Sequence, residues 1–306
     1  MKTKKVIRLL GPLMIEGVLS VRNHTQDRLV EMLHQLQFVT KNILSTEKEV
    51  VIELQIIDVE LLYRLLAGEA NKFFLASRVS HERSTQDQIN NASWQAIESY
   101  YSAFYGVHYL LRLTGSSVTN LDDLSVKAIK RSNYGSSIEV PSGLYILKYD
   151  DISNILTLTK NKKKSGGGSH QAAWKLWDEL VEKLRSGASI DPVEYADIHI
   201  ELAEHNRFLR TSTARYNPPY IRGEINYQFR GGLWVFEKNS AKSVGNLQRS
   251  ISVAKPAPLI CTTTPEGLII NNMLIISLAK AVFAHATERY PKGICRSLSN
   301  KYKVYI

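Results

Sequence analysis

The sequence predicts a mainly α protein: a four-to-five-helix bundle with a β-rich insertion and mixed α/β extensions at its N- and C-terminal ends. Three observations lead there. Apolar residues recur every three or four positions along four long stretches between Val59 and Arg230. Inside that span, residues 116–169 switch to alternating apolar and polar residues. The flanks mix β-branched runs with helical spacing. The division that follows is an N-terminal α/β extension over 1–58, the bundle over 59–230 with its insertion at 116–169, and a C-terminal α/β extension over 231–306.

In chain order, residues 1–22 read as one or two strands around a Gly11-Pro12 turn. Leu29, Leu33, Leu36, Val39 and Ile43 repeat at helical spacing from His24 to Leu44, and the β-branched run from Val50 to Val59 reads as a strand. The first bundle helix begins at Val59, carries Leu62, Leu65, Leu66, Phe73 and Phe74 on its stripe, and ends in the polar stretch Ser80 to Asn91. The second runs from Ala92 to Leu113 through Trp94, Ile97, Tyr101, Phe104, His108 and Leu111, and Gly115 stops it. His108 on that apolar stripe reads as a core histidine.

In the insertion, Ile138, Val140, Tyr145, Leu147, Tyr149, Leu156 and Leu158 alternate with polar neighbours around Pro141-Ser142-Gly143 and Asp150-Asp151 turns. It closes on Lys160, Lys162, Lys163 and Lys164 followed by Gly166 to Gly168, a basic linker. Helical spacing returns with Trp174, Trp177, Val181 and Leu184. The next helix has Asp191 as cap, Pro192 at its first position and Glu194 placed to reach back, and it continues to Arg210. Pro218 and Pro219 block direct continuation, so the last bundle helix starts near Tyr220. Beyond it, Trp234 to Phe236 reads as a strand, Leu259 to Ile270 as a hairpin around Pro265-Glu266-Gly267, and Asn271 to Arg289 as an amphipathic helix.

Composition sets the bounds. A hydrophobic fraction of 44% with 22% charged residues is that of a folded globular chain. Lysine and arginine outnumber the acids 39 to 29, for a net charge of +10 and a pI near 9.4. That excess suits a polyanionic partner, through counterion release, and equally a solvated basic surface. The 2 cysteines, Cys261 and Cys295, make neither a disulfide framework nor a metal-binding spacing. Lys2, Lys4 and Lys5 before an apolar stretch imitate a secretory leader, but Arg8 and Glu16 interrupt it. No apolar run is read as reaching the roughly 20 residues of a membrane span, so a cytoplasmic location without a membrane partner is expected.

Motifs of metal and nucleotide chemistry are missing. His199 and His205 lack the i, i+4 spacing of a helical zinc pair, and Gly166 to Gly168 lack the Lys-Ser/Thr of a phosphate loop. Asp122-Asp123 and Asp150-Asp151 read as turn residues. No metal and no cofactor are expected.

Three segments carry a family resemblance. The second bundle helix contains Ala96-Ile97-Glu98-Ser99-Tyr100-Tyr101-Ser102-Ala103-Phe104-Tyr105, then a leucine run and Gly115. The third opens Ser169-His170-Gln171-Ala172-Ala173-Trp174, and the last offers Ile221-Arg222-Gly223-Glu224-Ile225-Asn226-Tyr227. In this order they resemble the HEPN superfamily of RNA-directed prokaryotic proteins, in the branch with an Arg-x-x-Ala-Asp-Tyr-like signature, with Asn226 standing for the aspartate. The resemblance implies a HEPN-like bundle in a toxin or anti-phage defence system, with RNA or another nucleic acid as partner and a homodimer or defence-complex subunits around it.

Helix geometry places Arg222 and Asn226 on one face with Tyr227 on its flank. The arginine fork suits a phosphate. Catalytic HEPN ribonucleases place a histidine four to six residues after that arginine, and this chain has Asn226 or Tyr227 there. The candidate catalytic set is therefore Arg222, Asn226, Tyr227 and His205, the last lying among Glu204, Asn206 and Arg207. His170 is a further candidate, and each histidine also reads as a capping or surface residue. Arg210, Arg215 and Lys162 to Lys164 form the candidate nucleic-acid contacts, with Tyr216, Tyr220 and Tyr227 interleaved for base stacking. Two functions stay open: a metal-independent endoribonuclease, or a non-catalytic subunit that binds nucleic acid or protein.

Overall fold

The computed structural model describes residues 3–23, 37–85, 91–133, 138–162, 168–210, 216–238, 240–252 and 261–303, with single positions 29, 33 and 259. It is mainly helical, with eleven α-helices among the described residues and a five-stranded antiparallel sheet. The N-terminal region holds α1 (Thr3–Leu10), a 3-10 turn at Gly11–Leu13 and α2 (Glu16–Ser20). These replace the expected strands. Val6 and Leu10 are buried, and α1 packs on later helices through Lys5–Asp197 at 3.2 Å and Arg8–Glu194 at 2.9 Å.

The sheet comprises β1 (Phe38–Ser45), β2 (Glu49–Ile56), β3 (Ser116–Leu121), β4 (Gly143–Asp150) and β5 (Ile155–Asn161), in the order β1-β2-β5-β4-β3. The expected helix to Leu44 gives way to β1, which pairs Ile43 with Ile52 and turns Thr40 and Ile43 inward. Leu29 and Leu33 are buried; the other residues of 24–36 lie outside the described set. The segment expected as an insertion joins the N-terminal strands directly, since β2 pairs with β5 from Glu49↔Asn161 to Gln55↔Ile155. Ile52, Leu54, Leu147, Leu156 and Leu158 form its buried face. Helix α5 (Asp123–Ser132), capped by Asp122 accepting from Ser125 N–H at 2.8 Å, lies between β3 and β4 in sequence and packs against β1 and β3.

The bundle consists of α3 (Val59–Thr85), α4 (Ala92–Leu113), α6 (Ser169–Ala188), α7 (Pro192–Leu209) and α8 (Asn217–Tyr227), followed by α9 (Ser240–Ser252), α10 (Pro265–Arg289) and α11 (Ile294–Lys301). Asp191 caps α7 as expected, accepting from Glu194 N–H at 3.1 Å, while the Glu194 carboxylate goes to Arg8. Helix α8 starts at Asn217, because Pro218 and Pro219 occupy first-turn positions that need no donor.

Past α8 the expected strands are absent among the described residues. Trp234 to Phe236 form a turn, and Pro265-Glu266-Gly267 open α10, with Thr264 as cap accepting from Gly267 N–H at 3.2 Å. Helix α10 is apolar on most sides and inserts against α4. It is long and apolar enough to cross a membrane, contrary to the expected lack of such a run, and 72% of that stretch is buried inside the fold.

Helix α4 is the centre. A Cβ on Gly106 would meet Ile275 at 3.2 Å, so the glycine sets how closely α10 approaches. Gly115, at φ +69°, ends α4 where a side chain would strike the Tyr149 carbonyl at 2.7 Å. Within α4, Arg112 is 4% exposed and donates to Glu69 at 2.7 Å, and Glu69 in turn accepts from Leu29 N–H at 2.7 Å. Arg112 also donates to His108 Nδ1 at 3.1 Å and lies 4.3 Å over the Phe73 ring. We expect Glu69→Ala, which strands the buried guanidinium, to destabilise the protein by about 3–5 kcal/mol in urea titration. The double change Glu69→Leu with Arg112→Met recovers most of that loss.

Candidate functional site

Three helices bring the quoted segments together. Ile221 and Ile225 bury one side of α8, and Asn217, fully buried, pins its start by donating to the Phe208 carbonyl at 3.0 Å. The other side presents Arg222 to α4. Its guanidinium stands 5.6 Å from the Tyr100 ring centre and 5.3 Å from that of Tyr227, and Nη1 donates to the Tyr227 hydroxyl at 3.2 Å. Arg222 Nε is buried and has no hydrogen-bond partner, and no carboxylate pairs with Arg222 among the described residues.

His170, at the start of α6, completes the cluster. Its ring stacks on Phe104 at 4.3 Å and lies 5.9 Å from Tyr100. Its Nδ1 is 2.7 Å from the Tyr100 hydroxyl, which also accepts from Trp174 Nε1–H at 3.2 Å. Burial raises the Tyr100 pKa, so that hydroxyl keeps its proton. The consistent assignment runs Trp174 N–H to Tyr100 O, then Tyr100 O–H to His170 Nδ1, leaving the proton of neutral His170 on Nε2. Burial first, and the Arg222 charge second, lower the His170 pKa below its ordinary value. The cluster therefore presents donors: an arginine fork and an imidazole N–H.

The remaining sequence candidates fall elsewhere. Asn226 is half-buried one turn from Arg222, and Tyr227 is 64% exposed beside it. His205 is fully buried: Trp177 Nε1–H donates to its Nε2 at 2.8 Å, and its Nδ1 faces Asn271 Oδ1 at 2.9 Å. Both ring nitrogens are committed to the core, so His205 is not brought to Arg222. Arg210 Nε binds both Asp178 oxygens at 2.8 Å, an internal ion pair in place of a free phosphate contact. Lys162 donates to Ser45 at 2.7 Å at the edge of the sheet. Arg215, Lys163 and Lys164 lie outside the described residues. His108 is the core histidine expected, bound to Arg112. No cluster of three potential metal ligands occurs among the described residues.

Sequence reasoning named His170 but missed Tyr100 as the residue that joins it to Arg222. The signal was present, since both lie in the quoted segments. No family model, curated protein or solved structure matches the chain. The family resemblance thus rests on these residues alone.

The His205 arrangement has a pH consequence. Burial lowers its pKa to about 4, and a proton on Nε2 would face the Trp177 N–H, donor against donor. Below pH 6.5 the unfolded chain takes up this proton before the folded one, so stability falls as pH is lowered from about 6.5 to 4, by roughly 3 kcal/mol. Urea titrations across that range should show the slope, and His205→Gln should reduce it, leaving the part owed to His81 and His108, whose pKa values burial also lowers; an equal slope in the variant refutes the assignment.

Proposed function

We propose that the chain is a HEPN-like, RNA-directed protein of a prokaryotic toxin or anti-phage defence system, and that Arg222 and His170 hold an RNA phosphate. One observation carries this reading: Arg222 is a partly buried cation whose Nε lacks a partner and which no described carboxylate neutralises. A desolvated guanidinium in that state favours an anion, and its fork matches two phosphate oxygens. His170, bonded to the Tyr100 hydroxyl and close enough to feel the Arg222 charge, adds a neutral Nε2–H donor. The net charge of +10 draws a polyanion toward the surface.

A metal-independent endoribonuclease is the second reading, favoured by the lowered His170 pKa, which keeps the imidazole neutral at neutral pH. To accept a proton from a ribose 2′-hydroxyl at Nε2, His170 must first shift its own proton to Nδ1, with the Tyr100 hydroxyl turning away. The resting hydrogen bonds hold the opposite tautomer. Holding RNA is thus the function the geometry supports best.

Arg222→Ala should weaken binding of single-stranded RNA and reduce the slope of log affinity against log salt by about 1. RNA binding by the variant equal to the parent's would refute the reading. Incubation with total RNA in chelator separates the two versions: cleavage lost in both Arg222→Ala and His170→Ala establishes the ribonuclease, and intact RNA with retained binding establishes the holding role.

A further inference from the structure

Helix α4 leaves four residues outside the core: Trp94, Glu98, Tyr101 and Tyr105. Their spacing of three and four makes one stripe along the helix. The stripe begins at an aromatic group on the chain that follows α8. Trp94 meets Trp234 edge-on at 6.1 Å, Trp234 stacks with Phe236 at 5.7 Å, and Phe229 stands edge-on to both at 5.6 and 5.8 Å. Trp94, Phe229 and Phe236 are 48%, 50% and 67% exposed.

This group is built rather than incidental. Glu237 accepts from three successive backbone amides, those of Gly232, Leu233 and Trp234, at 2.7, 3.0 and 2.9 Å. Trp234 Nε1–H donates to the Ile225 carbonyl at 2.8 Å, and Arg230 N–H to that of Glu224 at 3.0 Å, which fastens the turn to the end of α8. Phe229, Gly231 and Gly232 all have positive φ, of 50°, 120° and 71°, and a Cβ on Gly232 would meet Ser243 at 2.7 Å. Phe229 holds a conformation that side chains rarely adopt, and the two glycines after it supply the remaining positive φ angles of the turn.

Charge selects the occupant. From Arg222 to Arg249 the basic residues are Arg222, Arg230, Lys238, Lys242 and Arg249, and the acids are Glu224 and Glu237. Both acids are engaged, Glu237 by the amides and Glu224 by Arg230 at 3.6 Å. Glu98, the one acid on the stripe, pairs with Arg83 at 2.7 Å. Exposed aromatic faces on a segment whose cations outnumber its acids five to two fit unpaired nucleobases and their phosphates.

We propose that Phe229, Trp234 and Phe236, with Trp94, form a stacking platform for unpaired bases of a single-stranded RNA that runs along the α4 stripe. The proposal rests on the reading of Arg222 as a phosphate site. Trp94 precedes Tyr100, the ring under Arg222, by six residues, about 9 Å of helix rise. Two to three nucleotides at the stacked spacing of about 3.4 Å cover that distance. Bases on the platform therefore flank the phosphate held by Arg222.

The test measures affinity of the full chain for a short 2-aminopurine-labelled single-stranded RNA, and for the duplex of the same sequence, across salt concentrations. Phe229→Ala with Phe236→Ala should weaken single-strand binding roughly tenfold or more, within the range of about 1–3 kcal/mol per stacked base. Quenching of the 2-aminopurine should disappear, and the salt slope should stay unchanged because stacking releases no counterions. Phe236→Trp should restore binding. Phe236→Ala alone, at the most exposed ring, serves should the double variant melt early. Platform variants that bind like the parent while Arg222→Ala does not overturn this proposal only. A parent that binds no RNA overturns the phosphate site as well. Self-association lost in the platform variants with RNA affinity intact would assign the patch to a protein partner and overturn the proposal.

Discussion

The structure depends on the burial of α4, a helix of 22 residues of which all but four are inside. Such a helix is flanked by neighbours on nearly every side, and most of the polar groups it carries are satisfied by them, although the buried Tyr109 hydroxyl has no partner. Ser102 and Ser77 exchange hydroxyl-to-carbonyl bonds of 2.8 Å in both directions, binding α4 to α3. Asn272 of α10 donates to Ser99 at 3.3 Å. Arg112 takes the Glu69 carboxylate, and Tyr100 takes Trp174 and His170 from α6. The polar residues of α4 thereby dictate which helix lies against which face. Its apolar residues supply the packing, but they would accept many neighbours in many registers.

The same constraint explains why the candidate site lies where it does. Tyr100 has a buried ring and a hydroxyl held from the α6 side, so one face of the ring is left for α8. Arg222 fills that face as a cation over a π-system instead of as half of an ion pair. Two other arginines are neutralised by carboxylates, Arg112 by Glu69 and Arg210 by Asp178, whereas the half-buried Arg64 keeps a buried Nε without a partner. Arg222 shares with Arg64 a buried Nε without a partner, and adds a place over the Tyr100 ring near His170.

The long bundle helices were legible from their apolar spacing, although α4 is buried nearly all round and Trp94 and Tyr101 of its expected stripe lie outside the core. Helix α7 was legible to the residue because Asp191 and Pro192 form a cap. Other elements were hidden for identifiable reasons. The spacing of Leu29, Leu33, Val39 and Ile43 runs on at helical intervals, yet Phe38–Ser45 is a strand because Ile43 pairs with Ile52 and the strand caps an edge of the sheet. Nothing local signals that pairing. Pro265-Glu266-Gly267 has the composition of a turn, and the same residues open a helix once Thr264 precedes them. Helix α10 is buried on most sides, so it shows little period by which to locate its start. At the site, Arg222 was legible from its segment. His205 misled because Glu204 and Arg207 beside it are polar, whereas its own ring points inward to Trp177. Joining Tyr100, His170 and Arg222 requires knowing that α4, α6 and α8 meet, which no single segment records.

The tautomer of His170 decides how far the chemistry can go. An imidazole that accepts at Nδ1 from a hydroxyl whose pKa is raised by burial cannot easily release that bond, because the Tyr100 oxygen is also receiving the Trp174 N–H. Turning the Tyr100 proton away would leave it without the acceptor it now has, inside a buried pocket, at a cost of about 1–3 kcal/mol. Arg222 opposes protonation of the ring from the other side. The resting cluster is therefore arranged to donate to oxygen and not to take a proton from it. On the proposed reading, an RNA backbone would meet those donors with phosphate oxygens that only accept. A bound phosphate near Arg222 would also cancel part of the charge that lowers the His170 pKa, so occupancy itself moves the imidazole toward the protonated form. On the proposed reading, binding and any proton chemistry at His170 are coupled through that one guanidinium.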